Sequence, residues 1–322
     1  MRQVLYATLP GMAVLTWLFG PGVLLNLFWA IPMALLVEAA ILRLRRKPVG
    51  FYLGDWSAAT SAVLLALSLP PASPWWLILI GVISAIALAK HLYGGLGMNP
   101  FNPAMVGYVI LLVSFPVEMT RWFAPGEAPQ LAESLRLSLG THASPDAFSG
   151  ATPLDSFRNL AGDAAALAQQ PILDGRLAGQ GWELVNLGFL AGGLWLLWRG
   201  VISWHIPAAM LGALALTALP FWLYDPARFA SPQFHLLSGA AMFGAFFIAT
   251  DPVSAATSRA GKLVFGALIG VLVWVIRSLG GYPDGVAFAV LLLNLAAPTI
   301  DYYTRPRTYG HDKPRRGMGG DG

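Results

Sequence analysis

The chain of 322 residues contains no cysteine. Disulfides, cysteine-held iron–sulfur clusters and thiol nucleophiles are therefore excluded on this chain. Charge is also scarce. Asp, Glu, Lys and Arg together make up 11% of the residues, about half the share carried by a soluble domain. The five histidines, His91, His142, His205, His235 and His311, are scattered, and no HExxH is present. None has metal-site spacing, so no metal centre is expected. Any electron carrier must then be organic, a haem held by other ligands, or the property of a partner.

Apolar residues are what the chain has in excess. The sequence is 56% hydrophobic, with a mean hydropathy of +0.62. Apolar runs of membrane-spanning length recur from end to end, and no short alternating strands of the barrel kind interrupt them. Lipid cannot satisfy backbone polar groups, so the fold class expected is an all-α polytopic membrane protein. The first apolar run follows Arg2 directly and leads into further spans, which reads as a retained helix rather than a cleaved signal.

About ten spans are expected: 4–20, 22–42, 56–69, 75–91, 98–116, 182–198, 202–223, 234–250, 262–278 and 285–303. Gly20-Pro21-Gly22 parts the first two, and Pro70-Pro71-Ala72-Ser73-Pro74 parts the third from the fourth. The third is short for a full crossing, as a broken or re-entrant helix would be. With the N-terminus in the cytoplasm, fourteen of the twenty Lys and Arg fall in inside segments and six outside. The positive-inside rule then favours two cytoplasmic termini and a periplasmic interval from Val117 to Gly181 in a bacterial inner membrane. The basic stretch Arg305–Arg316 abuts the last span, which suits retention or a lipid surface better than nucleic acid.

Two five-span blocks carry similar punctuation. His91-Leu92-Tyr93-Gly94-Gly95 precedes the fifth span and Arg277-Ser278-Leu279-Gly280-Gly281 the tenth. Pro70-Pro71-Ala72-Ser73 closes the third and Asp251-Pro252-Val253-Ser254 the eighth. An odd number of spans per block makes the second an inverted copy of the first, and such pairs place sites near their interface. The expected organisation is a first repeat at 1–116, an extracytoplasmic loop at 117–181, a second repeat at 182–303, and a basic tail at 304–322. Within the loop, Pro129–Leu139 and Asp163–Gln170 suit short helices.

The loop holds Asp146-Ala147-Phe148-Ser149-Gly150-Ala151-Thr152-Pro153. Gly150 and Ala151 leave little bulk beside Thr152, and Pro153 biases Thr152 to an extended backbone that projects its hydroxyl. Such a hydroxyl can accept a phosphoryl group; an ordinary polar turn would look the same.

Asp146-x-x-Ser149-Gly150-Ala151-Thr152 resembles the acceptor motif of flavin transferases, which link FMN by a phosphoester to the last hydroxyl. Gly94-Gly95-Leu96-Gly97-Met98-Asn99-Pro100-Phe101-Asn102-Pro103-Ala104 and Thr250-Asp251-Pro252-Val253-Ser254-Ala255 look like signatures of the RnfD/NqrB family. These are membrane subunits of ion-translocating electron-transport complexes. The resemblance covers essentially the whole chain, and the compact N-terminus looks more like the RnfD branch than NqrB.

The resemblance implies covalent FMN on Thr152, with Asp146, Ser149, Gly150 and Ala151 as the rest of the acceptor motif. It implies a second, noncovalent flavin, riboflavin, in the bundle near Gly97, Asn99, Asn102 and Pro103; those residues also suit helix caps and breaks. It implies partner membrane and iron–sulfur or flavin subunits, a flavin transferase for maturation, and electron transfer between ferredoxin and NAD coupled to ion movement. No complete catalytic site is expected on this chain alone. The alternatives are an NqrB-like role in a sodium-pumping quinone reductase, or a channel or transporter without redox function.

Intramembrane ionisable groups invite functional readings. Asp251, at the predicted break of the eighth helix, is the ion-pathway candidate. Glu38 lies about a turn from Arg43 and can pair with it or snorkel. Asp55 suits an N-cap, and Lys90 and Arg277 suit interfacial anchors.

Overall fold

The glycine- and proline-punctuated apolar runs fold as helices in a computed structural model, which describes residues 1–141, 150–175, 178–282 and 284–306. The principal elements are α1 (Arg2–Phe19), α2 (Gly22–Leu44), α3 (Ser57–Ser68), α4 (Trp75–Ile83, continuing as a π-wound segment Ser84–His91) and α5 (Pro103–Ser114). The outer loop contributes α6 (Leu131–Leu139) and α7 (Pro153–Leu160). Then come α8 (Trp182–Trp198), α9 (His205–Tyr224), α10 (Pro232–Leu237), α11 (Ala241–Phe243, continuing as a π-wound Gly244–Ile248), α12 (Arg259–Leu279) and α13 (Val286–Tyr303).

Helical segments occupy every interval expected to span. Four of them, α2, α9, α12 and α13, are long and apolar enough to cross a membrane by length and composition; α3, the α4 unit, α5 and α8 are shorter apolar helices. At 12 residues, α3 extends about 18 Å, short of the roughly 30 Å hydrocarbon core. The interval 98–116 is helical only from Pro103, because Asn102 N-caps α5 and Pro103 takes the first helical position. The interval 234–250 divides at Ser238–Ala240, where Gly239 has φ +60°.

Irregular backbone at membrane depth requires polar partners within the protein, and here asparagines from neighbouring helices supply them. Asn26 of α2 donates Nδ2 to the Pro70 carbonyl at 2.8 Å and accepts the Ser73 N–H at 3.1 Å, closing the break after α3. Asn186 of α8 donates to the Leu237 and Gly239 carbonyls at 3.0 Å each and accepts the Met242 N–H at 3.2 Å, closing the break between α10 and α11. Asn294 of α13 accepts the Asn102 N–H at 3.1 Å and donates to the Ser254 carbonyl at 3.1 Å.

Small residues draw the helices together. On α12, a Cβ at Gly270 would lie 2.2 Å from the Met210 carbonyl oxygen of α9, and one at Gly266 would lie 2.6 Å from that of Ile206. This small-xxx-small spacing permits close backbone approach. The first helices of the two blocks, α1 and α8, pack against each other as well.

Two buried charge clusters tie the bundle. Lys90 Nζ donates to Glu38 Oε1 and to Ser57 Oγ, each at 2.6 Å. Lys90 is thus not an interfacial anchor, and Glu38 pairs with it rather than with Arg43. Arg277 is buried too: it donates Nη1 to the His235 carbonyl at 2.6 Å, Nη2 to that of Ser238 at 3.2 Å, and Nε and Nη2 to Asp284 Oδ1 at 3.1 Å each. Asp55 is not the N-cap of α3, a position held by Trp56 with φ +65°; it lies one residue earlier and accepts the Ser57 N–H at 2.7 Å.

Candidate functional site

Thr152 is the N-cap of α7. Its backbone is extended, φ −75° and ψ 160°, as a residue before proline should be, and Pro153 occupies the first helical position. The Thr152 hydroxyl accepts the Asp155 N–H at 3.3 Å and donates to Asp155 Oδ2 at 2.6 Å.

Gly150 sets the approach to this cap. Its N–H donates to the Trp122 carbonyl at 2.7 Å in an isolated antiparallel bridge, and a Cβ there would lie 3.1 Å from the Ala124 nitrogen. The glycine makes room for the neighbouring backbone, whereas the sequence suggested room for a ligand. Ala151 is exposed. Asp146 and Ser149, also expected in the motif, lie outside the described residues.

Beneath Thr152 lies a cavity of about 1060 Å³, counting the part that opens to solvent. One side is formed by Thr152, Pro153, Leu154 and Asp155 of the loop. Ser68 of α3 and Met105, Tyr108 and Leu112 of α5 come from the first block; Trp182, Val185 and Phe189 of α8, Phe243, Ile248, Val286 and Ala287 come from the second. Trp122 and Trp182 meet edge to face at 5.0 Å between ring centroids, and Phe189 and Phe243 lie tilted to each other at 4.7 Å. An apolar, aromatic chamber with a few convergent polar groups is the usual construction of a cofactor pocket.

The polar wall is held from behind. Asp284 accepts the Ala240 N–H through Oδ2 at 2.8 Å and the Arg277 guanidinium through Oδ1. Gly239, Ala240 and Asp284 all line the cavity. A Cβ on Gly239 would lie 2.4 Å from Asp284 Oδ2 and 2.6 Å from Leu154 Cδ1. The α7 helix is fastened to the bundle through a small apolar cluster of Leu154, Ala178, Ala230 and Phe234, extended by Phe157.

These features suit a flavin tethered at Thr152. Thr152 lines the space, which is broad, aromatic and shared by both blocks. Sequence reasoning missed the wall: Trp122, Trp182, Tyr108 and Asp284 carry no local signal. Asp155 could have been found, because Thr152-Pro153-Leu154-Asp155 has the N-cap-to-N3 spacing of a capping box.

Gly97, Asn99, Asn102 and Pro103 are not on this cavity. Asn102 is committed to structure: Oδ1 accepts the Met105 N–H at 3.2 Å and Nδ2 donates to the Ile248 carbonyl at 3.4 Å. Ile248 is also a cavity residue, so the 99–102 turn touches a segment of the chamber wall. Asn99 is buried; Nδ2 donates to the Phe101 carbonyl at 2.9 Å, while Oδ1 has no protein partner. Gly97 is exposed with φ +88°, a conformation that favours glycine. Asp251 serves a local turn, accepting the Val253 N–H at 3.3 Å and the Ser254 hydroxyl at 2.9 Å.

A multi-helix chain with, among its described residues, four helices long and apolar enough to cross a membrane, and with an aromatic chamber lined by Thr152 and both helical blocks, defines a class: a multi-pass membrane protein. Comparison with known proteins narrows it. Residues 1–310 match the model of the NQR2, RnfD, RnfE family, and the chain belongs to that family. It is 62% identical over 321 residues to the RnfD subunit of the ion-translocating oxidoreductase complex of Alcanivorax borkumensis, covering 98% of this chain and 94% of the relative. It is 58% identical over 322 residues to the protein of the same name from Pseudomonas aeruginosa (99% and 93% covered) and 54% identical over 331 residues to that from Salmonella paratyphi B (97% and 94% covered).

Proposed function

We propose that this chain is the membrane flavoprotein subunit of an Rnf-type complex, in which electron transfer between ferredoxin and NAD is coupled to ion translocation. In this reading it carries FMN as a phosphoester on Thr152. The relatives' shared name supports the assignment to an ion-translocating oxidoreductase complex. The observation that carries the flavin reading is the position of Thr152 on the rim of a chamber lined by both helical blocks.

When bound, the flavin supplies reversible electron transfer through its isoalloxazine ring. The chain supplies position. Thr152 tethers through its side-chain oxygen and leaves the ring chemistry free. Trp122, Trp182, Phe189 and Phe243 give the chamber apolar, aromatic walls. Asp284, fixed by Arg277 and the Ala240 N–H, places a polar carboxyl group on the wall.

Riboflavin is the second flavin, beside the 97–103 turn with Gly97, Asn99, Asn102 and Pro103; the buried Asn99 Oδ1, which has no protein partner, supports a ligand there. The blocks are inverted five-span repeats in the bacterial inner membrane, with cytoplasmic termini and a periplasmic loop. The paired breaks support the repeat, and the bias of Lys and Arg supports the orientation. Other complex subunits and a flavin transferase are the partners. Asp251, which also holds the turn after α11 through Val253 and Ser254, is the ion-path candidate.

The test is a denaturing gel viewed for flavin fluorescence after co-expression with a competent flavin transferase. A fluorescent band near 34.4 kDa is expected, and a dark one overturns the covalent reading. Co-purification of an iron–sulfur subunit, rather than quinone-reducing activity, is the outcome expected of the intact complex.

A further inference from the structure

We propose that Asp155 is the base that takes the Thr152 hydroxyl proton when the flavin is attached, so that the acceptor chain supplies part of the attachment chemistry. This rests on the reading of Thr152 as the flavin acceptor.

In an ordinary capping box the acidic residue at the third helical position reaches back to the backbone N–H of the N-cap. Asp155 holds that position, but its carboxylate instead accepts a hydrogen bond from the N-cap side-chain hydroxyl, with Oγ1 to Oδ2 at 2.6 Å. That distance is typical of a charge-assisted hydrogen bond. The Asp155 N–H meanwhile donates to the same Oγ1 at 3.3 Å. A threonine oxygen has two lone pairs, so one remains for attack. Both residues are half-buried and line the cavity. The other titratable side chains on that cavity are Tyr108 and Asp284, and Asp284 is engaged by Arg277 and the Ala240 N–H.

A neutral hydroxyl is a weak nucleophile, and a base within hydrogen-bond reach is the usual remedy. The donor required is a flavin nucleotide joined through a diphosphate to a second nucleoside. Thr152 Oγ1 attacks the flavin-side phosphorus and forms the new P–O bond. The bond to the other phosphate breaks, and its electron pair leaves on the nucleoside monophosphate. The hydroxyl proton passes to Asp155 Oδ2. No oxidation state changes.

The test follows flavin attachment over time, using purified chain, transferase and a flavin dinucleotide, by in-gel fluorescence and by released nucleoside monophosphate. Asp155→Asn keeps the shape of the cap and its backbone N–H. It is expected to lower kcat for attachment about 10²- to 10⁴-fold, the range for loss of a positioned base, with KM for the acceptor chain unchanged. Asp155→Glu restores part of the rate and controls for folding. Attachment to Asp155→Asn at the wild-type rate, or a raised KM with unchanged kcat, overturns the proposal while Thr152→Ala remains dark. Fluorescence of Thr152→Ala would instead overturn the underlying reading.

Discussion

At Lys90 the chain places an amine where 2% of the residue is exposed, 2.6 Å from a Glu38 carboxyl oxygen whose residue is 1% exposed. Removing one partner leaves the other charge buried and uncompensated, which costs about 3–5 kcal/mol, whereas replacing both with apolar residues of similar volume is often neutral. Lys90→Met should therefore lower the apparent Tm in detergent sharply, and Glu38→Leu with Lys90→Met should recover most of it. Recovery no better than the single variant would contradict the pairing. This pair was not legible in sequence. Arg43 lies a turn from Glu38 and is the nearest local partner, while Lys90 is 52 positions away and arrives only through packing of α4 on α2. Asp155 is the opposite case, because its spacing from Thr152 is local and its role in the cap can be read directly.

At the scale of elements, the helix breaks depend on asparagines borrowed from neighbours. Asn186 alone serves three backbone groups across the α10–α11 break. Asn186→Leu strands those groups, each unsatisfied one costing about 1–3 kcal/mol. Hydrogen exchange at 237–242 should accelerate in this variant; unchanged protection there would show that the break holds itself. Proline and glycine made the breaks only partly legible: Asn102-Pro103 suited a helix cap and does start α5, but 234–250 was expected to run unbroken to Asp251, whereas Ser238-Gly239 parts α10 from α11. The partners that close them were not legible, since Asn26, Asn186 and Asn294 sit in apolar runs with no periodic signal. α7 is a miss of another kind. Thr152 through Asp155 carries a helix-start signal, but the surrounding loop-like composition obscures it.

At the scale of the whole molecule, hydropathy and the loop between two blocks were evident, but the chamber was not. Its lining runs from Leu15 to Ala287 and exists only once both blocks and the loop have docked. The natural lack of cysteine makes topology simple to test. Glu127→Cys, on the loop, should react with a membrane-impermeant maleimide in intact spheroplasts, and Arg259→Cys only after permeabilisation; the reverse pattern would invert the orientation. The central claim is that Thr152 joins a flavin to this bundle. The most direct measurement is peptide mass analysis of the wild-type chain, Thr152→Ser and Thr152→Ala, each matured with the transferase. FMN, less one water, should be found on the peptide containing residue 152 in the wild type and in Thr152→Ser, and be absent from Thr152→Ala. An FMN adduct on any peptide of Thr152→Ala, or an unmodified wild-type peptide beside a competent transferase, would contradict it.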